Sequence, residues 1–458
     1  MTPKISSDAA QRALLWTLGA VFLAVCVHSN GGRYSPEGMI CLSLAIAAII
    51  FASLAPREMA FDSRRVLNTV LAASATFFAA FWIVPDSETG RPLAIVGSLV
   101  GCALVAAILA RLAKWPLLRK TLFPIFLILQ LVLGASTIFK AGQWEKNSSE
   151  LKFHVSNDVQ IFNEEAARLL LSGQNPYSVR MPNVMGADYP FYPPNVTGAD
   201  GRLPFGYVYM PLSALWSLPG HLIGDFRYTH LIAVLGAALF LAYARPSVTS
   251  QLAATVFLLF PSALFVLVMS WTEPIAVFFL AATLFCFYRA PKWLFLSLGC
   301  LICAKQYTVF LLPILPLLVP QREKLWPLIG KSVAVALILT LPMAVWDIDG
   351  FFRSAVQMQF KQPFRHDSLS YLVTVLKWGG PQLSPILGFA ALLVGLVWSV
   401  KKMPRVASSW CGAGALAFLG FFALNKQAFA NYYFWVFGLL IAAVAVALPP
   451  EDHHEENG

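Results

Sequence analysis

The sequence predicts an all-α polytopic membrane protein, and three observations carry that prediction. The chain has 458 residues, of which 58% are hydrophobic and only 12% charged, with a mean hydropathy of +0.67. A soluble chain of this length needs a more polar shell than that composition supplies. Many separate apolar runs reach about 17–20 residues, the length at which a helix crosses a hydrocarbon core. Basic residues fall in short clusters between the runs, as orientation in a membrane requires. The net charge of +10 is therefore read as topology and not as a nucleic-acid surface.

Taken in order, spans are expected near 13–29, 38–55, 66–85, 93–110, 122–139, 229–244, 252–270, 274–288, 294–304, 307–319, 329–346, 383–400, 408–424 and 430–448. That makes a bundle of about 13–14 transmembrane helices. The two spans at 294–304 and 307–319 are short, and read either as half-helices meeting at Lys305–Gln306 or as one tilted helix. With the N-terminus inside, every short inside loop is basic. These loops hold Arg57, Arg64 and Arg65; Arg111, Lys114, Arg119 and Lys120; Arg245; Arg289 and Lys292; Arg322 and Lys324; and Lys401, Lys402 and Arg405. The outside loop Asp86–Pro92 carries little positive charge. Both termini are then expected in the cytoplasm of a bacterial inner membrane, with residues 140–228 as one large external loop. No cleavable signal peptide is evident, and the first run reads as a retained helix.

The seven cysteines lie mostly within apolar runs and none is in the long loop, so no disulfide framework is expected. Cys300-x-x-Cys303 reads as small-residue packing on a membrane helix. Three parts are expected: an N-terminal four-helix membrane bundle at 1–121, a catalytic membrane module at 122–448, and an acidic disordered tail at 449–458.

The external loop is patterned. Asp158 to Leu171, DVQIFNEEAARLLL, reads as an amphipathic helix. Ile161, Ala166, Leu169 and Leu170 are expected on its apolar face, and Asn163, Glu164, Glu165 and Arg168 toward water. Gly173 stands where a helix stops, and Asn175–Pro176 starts a turn. Tyr207 to Ile223, with Pro211 and Pro219 inside it, reads as a helix lying in the membrane interface.

Ionisable residues at membrane depth are costly, so each is a functional candidate. Asp158, Glu273, Lys305–Gln306, Arg365–His366–Asp367 and Lys426–Gln427 all map to the outside face, with Asn431, Tyr432 and Tyr433 at the start of the last span. Cations such as Lys305, Arg365, His366 and Lys426 suit a phosphate. A carboxylate such as Asp158 suits a general base on a sugar hydroxyl. Tyr207, Tyr209 and Trp271 suit a sugar platform or lipid groove, and Asn175, Tyr177 and Tyr432 complete the candidate contacts. Simpler readings stand beside these: Asp158 as an N-cap, Glu273 as a carboxylate favoured by a helix N-terminus, the 365–367 trio as a solvated loop, and Lys426 as an interfacial lysine. Asp188 and Asp200 are too isolated to argue for a metal, and none is predicted.

At these residues a family resemblance enters. DVQIFNEEAARLLLSGQNPYS followed by YVYMPLSALWSLP resembles the first large external loop of bacterial GT-C glycosyltransferases, nearest to the mannosyltransferase-like family 87. The matching elements are Asp158; Gly173, Asn175, Pro176 and Tyr177; and Tyr209, Pro211 and Leu212. CAKQYTVFLLPIL, with Lys305 and Gln306, resembles the family's Lys-bearing helix, and Glu273 stands where such proteins carry Gln or Glu. The resemblance covers roughly 122–448; the four N-terminal spans depart from it. It implies a GT-C-like fold and an extracytoplasmic site where a polyprenyl-phosphate-linked sugar is the donor. Transfer would invert the anomeric carbon, with Asp158 as base, no cofactor and no divalent metal. The acceptor would be a lipid, a glycan or a protein. The alternatives are a transporter or flippase of lipid-linked saccharide, or a glycan ligase. A transporter commonly shows paired broken helices, and only one is seen here.

Overall fold

The structure, a computed structural model, describes residues 7–54, 63–83, 116–147, 157–183 and 200–450. The span expected at 93–110, the loop Asp86–Pro92, Asp188 and the tail from residue 451 lie outside these. Every element among the described residues is helical, with isolated bridges only at Arg33–Ser368 and Pro182–Arg202.

Helices α1 (Ser7–Ser29) and α2 (Pro36–Ser53) form a hairpin. Ser35 starts α2 by accepting the Gly38 N–H at 3.0 Å, and Pro36 fills the first helical position, where an N–H has no partner anyway. Then come α3 (Ser63–Ile83), α4 (Pro116–Asn147) and α5 (Asp158–Leu171). α5 has the bounds its sequence predicts. Gly173 (φ +71°) closes it: in this left-handed conformation the Gly173 and Gln174 N–H groups turn back onto Leu170 and Leu169 carbonyls at 3.0 and 2.8 Å.

The interfacial segment differs from expectation. Residues 207–210 are not helical, and α6 (Pro211–Leu222) begins only at the proline. A residue before proline is pushed out of the helical region, and Met210 sits at φ −71°, ψ 150°. Tyr207 and Tyr209 therefore lie on a non-helical strap.

α7 (Arg227–Ala244) follows its expected span. The run expected at 252–270 is instead two helices, α8 (Val248–Leu258) and α9 (Ala263–Val268), broken where Pro261 has no N–H to give. Next are α10 (Glu273–Arg289) and α11 (Leu294–Ile302). Beyond α11 the chain turns at 303–306 and returns through 3₁₀ turns, Thr308–Leu311 and Leu315–Leu317. Pro313, Pro316 and Pro320 deny it regular α hydrogen bonding, so one tilted helix does not form. α12 (Arg322–Trp346), α13 (Tyr371–Lys377), α14 (Ile386–Lys402), α15 (Ala407–Ala423) and α16 (Ala430–Ala445) complete the bundle.

Among the described residues, five helical segments are long and apolar enough to cross a membrane: Asp8–Ser29, Pro36–Ser53, Thr121–Gln143, Arg227–Ala244 and Arg322–Trp346. α12 turns its apolar side chains outward, with Ile338 and Val345 71% and 70% exposed. A face of that kind is stable against lipid and costly against water. α16 is the opposite case: its sequence is apolar all round, and Tyr433 to Ala445 are all buried at the bundle centre. The N-terminal helices share that core, since Trp16 of α1 lies against Gly412 of α15 and Arg12 donates to the Ala52 carbonyl at 2.7 Å.

Residues of the segment between α4 and α7 build a second, smaller core with Met358, around Phe162, Leu169, Tyr177, Phe205 and Tyr207. Asn163, expected toward water, is buried there. It gives its amide to the Val159 carbonyl at 2.7 Å and accepts the Tyr207 hydroxyl at 2.6 Å. A polar residue on an apolar helix face is explained once a buried partner faces it.

The two ends of the bundle differ. Arg64, Arg245 and Arg289 meet the backbone of Pro449, Val446 and Tyr243 at one end. The acidic and aromatic candidates gather at the other.

Candidate functional site

Four separate segments build the site. The first is the start of α5. Asn157 is its N-cap, accepting the Gln160 N–H at 2.9 Å and giving its amide to the Met269 carbonyl at 2.7 Å. Capping is thus done by Asn157, and Asp158 occupies the first helical position, half-buried, accepting the Val159 N–H at 3.0 Å. Burial pushes the Asp158 carboxyl above the usual carboxylate range, while the Val159 N–H and the nearby Arg365 charge pull it back.

The second segment is the turn before α10. Ser270 has φ 59°, the one positive φ at a non-glycine among the described residues. Left-handed backbone at a serine is strained, and it is kept here by the Asn157 tie on one side and buried packing on the other. This turn delivers Trp271, whose ring packs edge-on to Phe265 at 5.2 Å, and Glu273, which is fully buried.

The third is the turn after α11. Lys305 reaches Glu273 Oε1 as an ion pair. Its ammonium lies 5.6 Å from the Tyr307 ring, 5.8 Å from Tyr432 and 5.9 Å from Tyr209, within range for cation–π attraction. Gln306 donates to the Val208 and Ala355 carbonyls at 2.7 and 3.1 Å, fixing the strap that carries Tyr209. The fourth is the start of α16. Asn431 gives its amide to Glu273 Oε1 at 2.8 Å, and the Tyr307 hydroxyl meets the same oxygen at 3.2 Å. Glu273 Oε2 is buried and meets no hydrogen-bond donor.

Arg365 completes the acidic side. Its guanidinium forks onto Asp367 with both contacts at 2.9 Å, lies 4.7 Å from the Phe429 ring, and acts on Asp158 through space. Glu273, Lys305, Tyr209 and Tyr432 are thereby brought together, with Gln306 behind them. Asp158 joins them through its neighbour Asn157, bonded to the Met269 carbonyl, and Arg365 through the Lys426 carbonyl, which accepts its backbone N–H at 3.1 Å.

The side chains of the remaining candidates turn elsewhere. Lys426 gives its ammonium to the Phe360 and Gln362 carbonyls, stapling the 360–362 backbone. His366 is exposed and rests on Phe364 at 5.3 Å. Asn175 accepts the Tyr177 N–H at 3.2 Å and donates to the Met343 carbonyl at 3.0 Å, which makes it a turn former. Tyr177 and Tyr207 belong to the smaller core, Tyr177 donating to the Tyr209 carbonyl at 2.6 Å. Asp200 pairs with Arg180 at 3.3 Å.

Tyr307 and Asn157 escaped the sequence reading as site residues, and Asn431, expected beside the candidates at the start of the last span, was given no role there. The available signal was position, since Asn431 and Tyr307 each lie within two residues of a named candidate. Chemically the site offers a half-buried carboxylate, a guanidinium paired with Asp367, and an aromatic-walled, charge-balanced ion pair. No protein-family model, curated protein or solved structure matches the chain.

Proposed function

We propose that the chain is a membrane-embedded glycosyltransferase that moves a sugar from a polyprenyl-phosphate donor to an acceptor hydroxyl at the extracytoplasmic face. The observation that carries this reading is the buried Glu273–Lys305 pair walled by the Tyr209, Tyr307 and Tyr432 rings, with Asp158 at the start of α5, whose cap Asn157 is bonded to the turn before Glu273. Asp158 takes the proton of the acceptor hydroxyl as its oxygen bonds to the anomeric carbon. The anomeric carbon–oxygen bond to phosphate breaks, and the electron pair leaves with the polyprenyl phosphate. Arg365 stabilises the charge on that leaving group. Attack from the side opposite phosphate inverts the centre. Tyr209 and Tyr432 present ring faces against which a sugar packs.

The test is transfer of radiolabelled mannose from polyprenyl-phosphate-mannose in membranes carrying wild type or Asp158→Asn. Loss of a general base lowers the rate by about a hundredfold or more. Equal transfer by both removes Asp158 from catalysis. Absence of transfer with mannose and with a panel of other polyprenyl-phosphate sugars overturns the reading. Movement of the intact lipid-linked sugar across the membrane would then favour a flippase, for which the buried ion pair beside an interrupted helix is the supporting observation.

A further inference from the structure

The turn joining α1 and α2 does more than connect two helices. Gly32 holds φ +74°, and a Cβ there would stand 2.2 Å from the Ala430 nitrogen and 2.6 Å from its Cα. The turn's backbone is therefore pressed onto the first residue of α16, where only hydrogen fits. The next residue, Arg33, pairs with Ser368 in an antiparallel bridge, and the Tyr34 N–H donates to the Asp367 carbonyl at 2.9 Å. Arg33 Nε lies 3.9 Å from Asp367 Oδ2, so Asp367 is shared between Arg33 and the fork of Arg365. The same loop is bonded to α16: the Leu369 N–H donates to the Ala428 carbonyl at 2.9 Å, and the Tyr433 hydroxyl to the Leu369 carbonyl. Farther along the hairpin, Ser43 and Tyr371 hydroxyls meet at 2.7 Å and Lys377 lies 5.2 Å from the Tyr34 ring. A turn that only linked two membrane helices would need none of these contacts to a distant loop.

What this turn clamps is specific. The loop carries Arg365, and the start of α16 carries Asn431 and Tyr432, which contact Glu273 and Lys305. We infer that the α1–α2 turn is a positioning element for Arg365 and thereby sets the affinity of the site for polyprenyl phosphate, an inference that rests on the function proposed above. Gly32, Arg33 and Tyr34 act through Asp367 and Ala430 and do not touch substrate. The N-terminal helices are on this account part of the donor site's framework.

The experiment is binding of polyprenyl phosphate, without sugar, to purified full-length protein in nanodiscs. Gly32→Ala and Arg33→Ala are each made alone and in an Arg365→Ala background. Gly32→Ala is expected to weaken binding by about tenfold, the scale of one hydrogen bond to a charged group lost. Arg33→Ala is expected to weaken it less, and neither to weaken it further once Arg365 is alanine. Simple destabilisation lowers the number of binding sites and leaves the Kd of the remaining ones unchanged. If Gly32→Ala does not fold, the exposed Arg33→Ala carries the test. Binding by wild type with unchanged affinity in the variants overturns this inference alone. Losses of equal size with and without Arg365 overturn it as well. Wild type that binds no polyprenyl phosphate overturns the functional reading and this inference with it.

Discussion

Glu273 and Lys305, 32 positions apart in the chain, form an ion pair whose side chains are 0% and 8% exposed. Three tyrosine rings and the Asn431 amide enclose it. Removing one partner strands a charge without water. Glu273→Gln or Lys305→Met is expected to cost about 3–5 kcal/mol, read as a lowered Tm in detergent. The double variant Glu273→Gln with Lys305→Met should recover most of that stability, because no charge is left buried and the glutamine oxygen still accepts from Asn431 and Tyr307, while transfer stays lost. Single variants that unfold where wild type does would show that the pair contributes nothing to the fold.

The pH profile follows from the surroundings of Asp158. Its carboxyl is held above the usual range by burial, and a base must be ionised to act. The rising limb of kcat/KM is therefore expected at higher pH than for a free carboxylate. Arg365 pulls the group down, so Arg365→Ala should move the limb further up. The same sign governs stability. A carboxyl whose folded value lies above its unfolded one favours folding when protonated, and that contribution fades as pH rises through the interval between the two. A limb at the position of an ordinary carboxylate would count against the assignment.

Tyr207 and Tyr209 stand two residues apart on one non-helical strap and face different tasks. The Tyr207 hydroxyl is spent on buried Asn163, so Tyr207→Phe should lower stability by about 1–3 kcal/mol, the cost of an orphaned buried acceptor. Donor KM should stay within about twofold, since the phenol lies in the smaller core. Tyr209→Leu removes a ring beside Lys305 and should raise donor KM. Equal KM changes in the two variants would refute this division.

Gly173 tests the end of α5. Its φ of +71° is open to Gly, tolerated by Asn and strained for β-branched residues, and no atom would crowd an added Cβ. Gly173→Val should cost about 1–2 kcal/mol and Gly173→Asn less, measured by thermal unfolding. Equal losses would mean that conformation is not the reason for glycine here.

Much of the helix plan was legible because it depends on local chemistry. Apolar run length located α1, α2, α7 and α16, and the sequence Asn157–Asp158 to Gly173 marked both ends of α5. Where reading failed, a proline acted locally against a longer apolar pattern: Pro211 delayed α6, Pro261 split α8 from α9, and three prolines kept 307–319 out of an α-helix. Hydropathy averages over a window and cannot weigh one missing N–H.

By itself the sequence determined that this chain is helical and rich in membrane-length apolar segments, and that polar residues collect in the loops of one end. Those features are set by composition and by spacing along the chain. Only the tertiary structure decided which of these residues meet. It put Lys305 on Glu273 and Asn431 on the same oxygen, gave Lys426 to two carbonyls, left His366 outside, and locked the α1–α2 turn onto the Arg365 loop. The physical reason is that an ionisable side chain out of water must find its partner in three dimensions, and the partner that satisfies it lies tens to hundreds of residues away, where no local pattern records it.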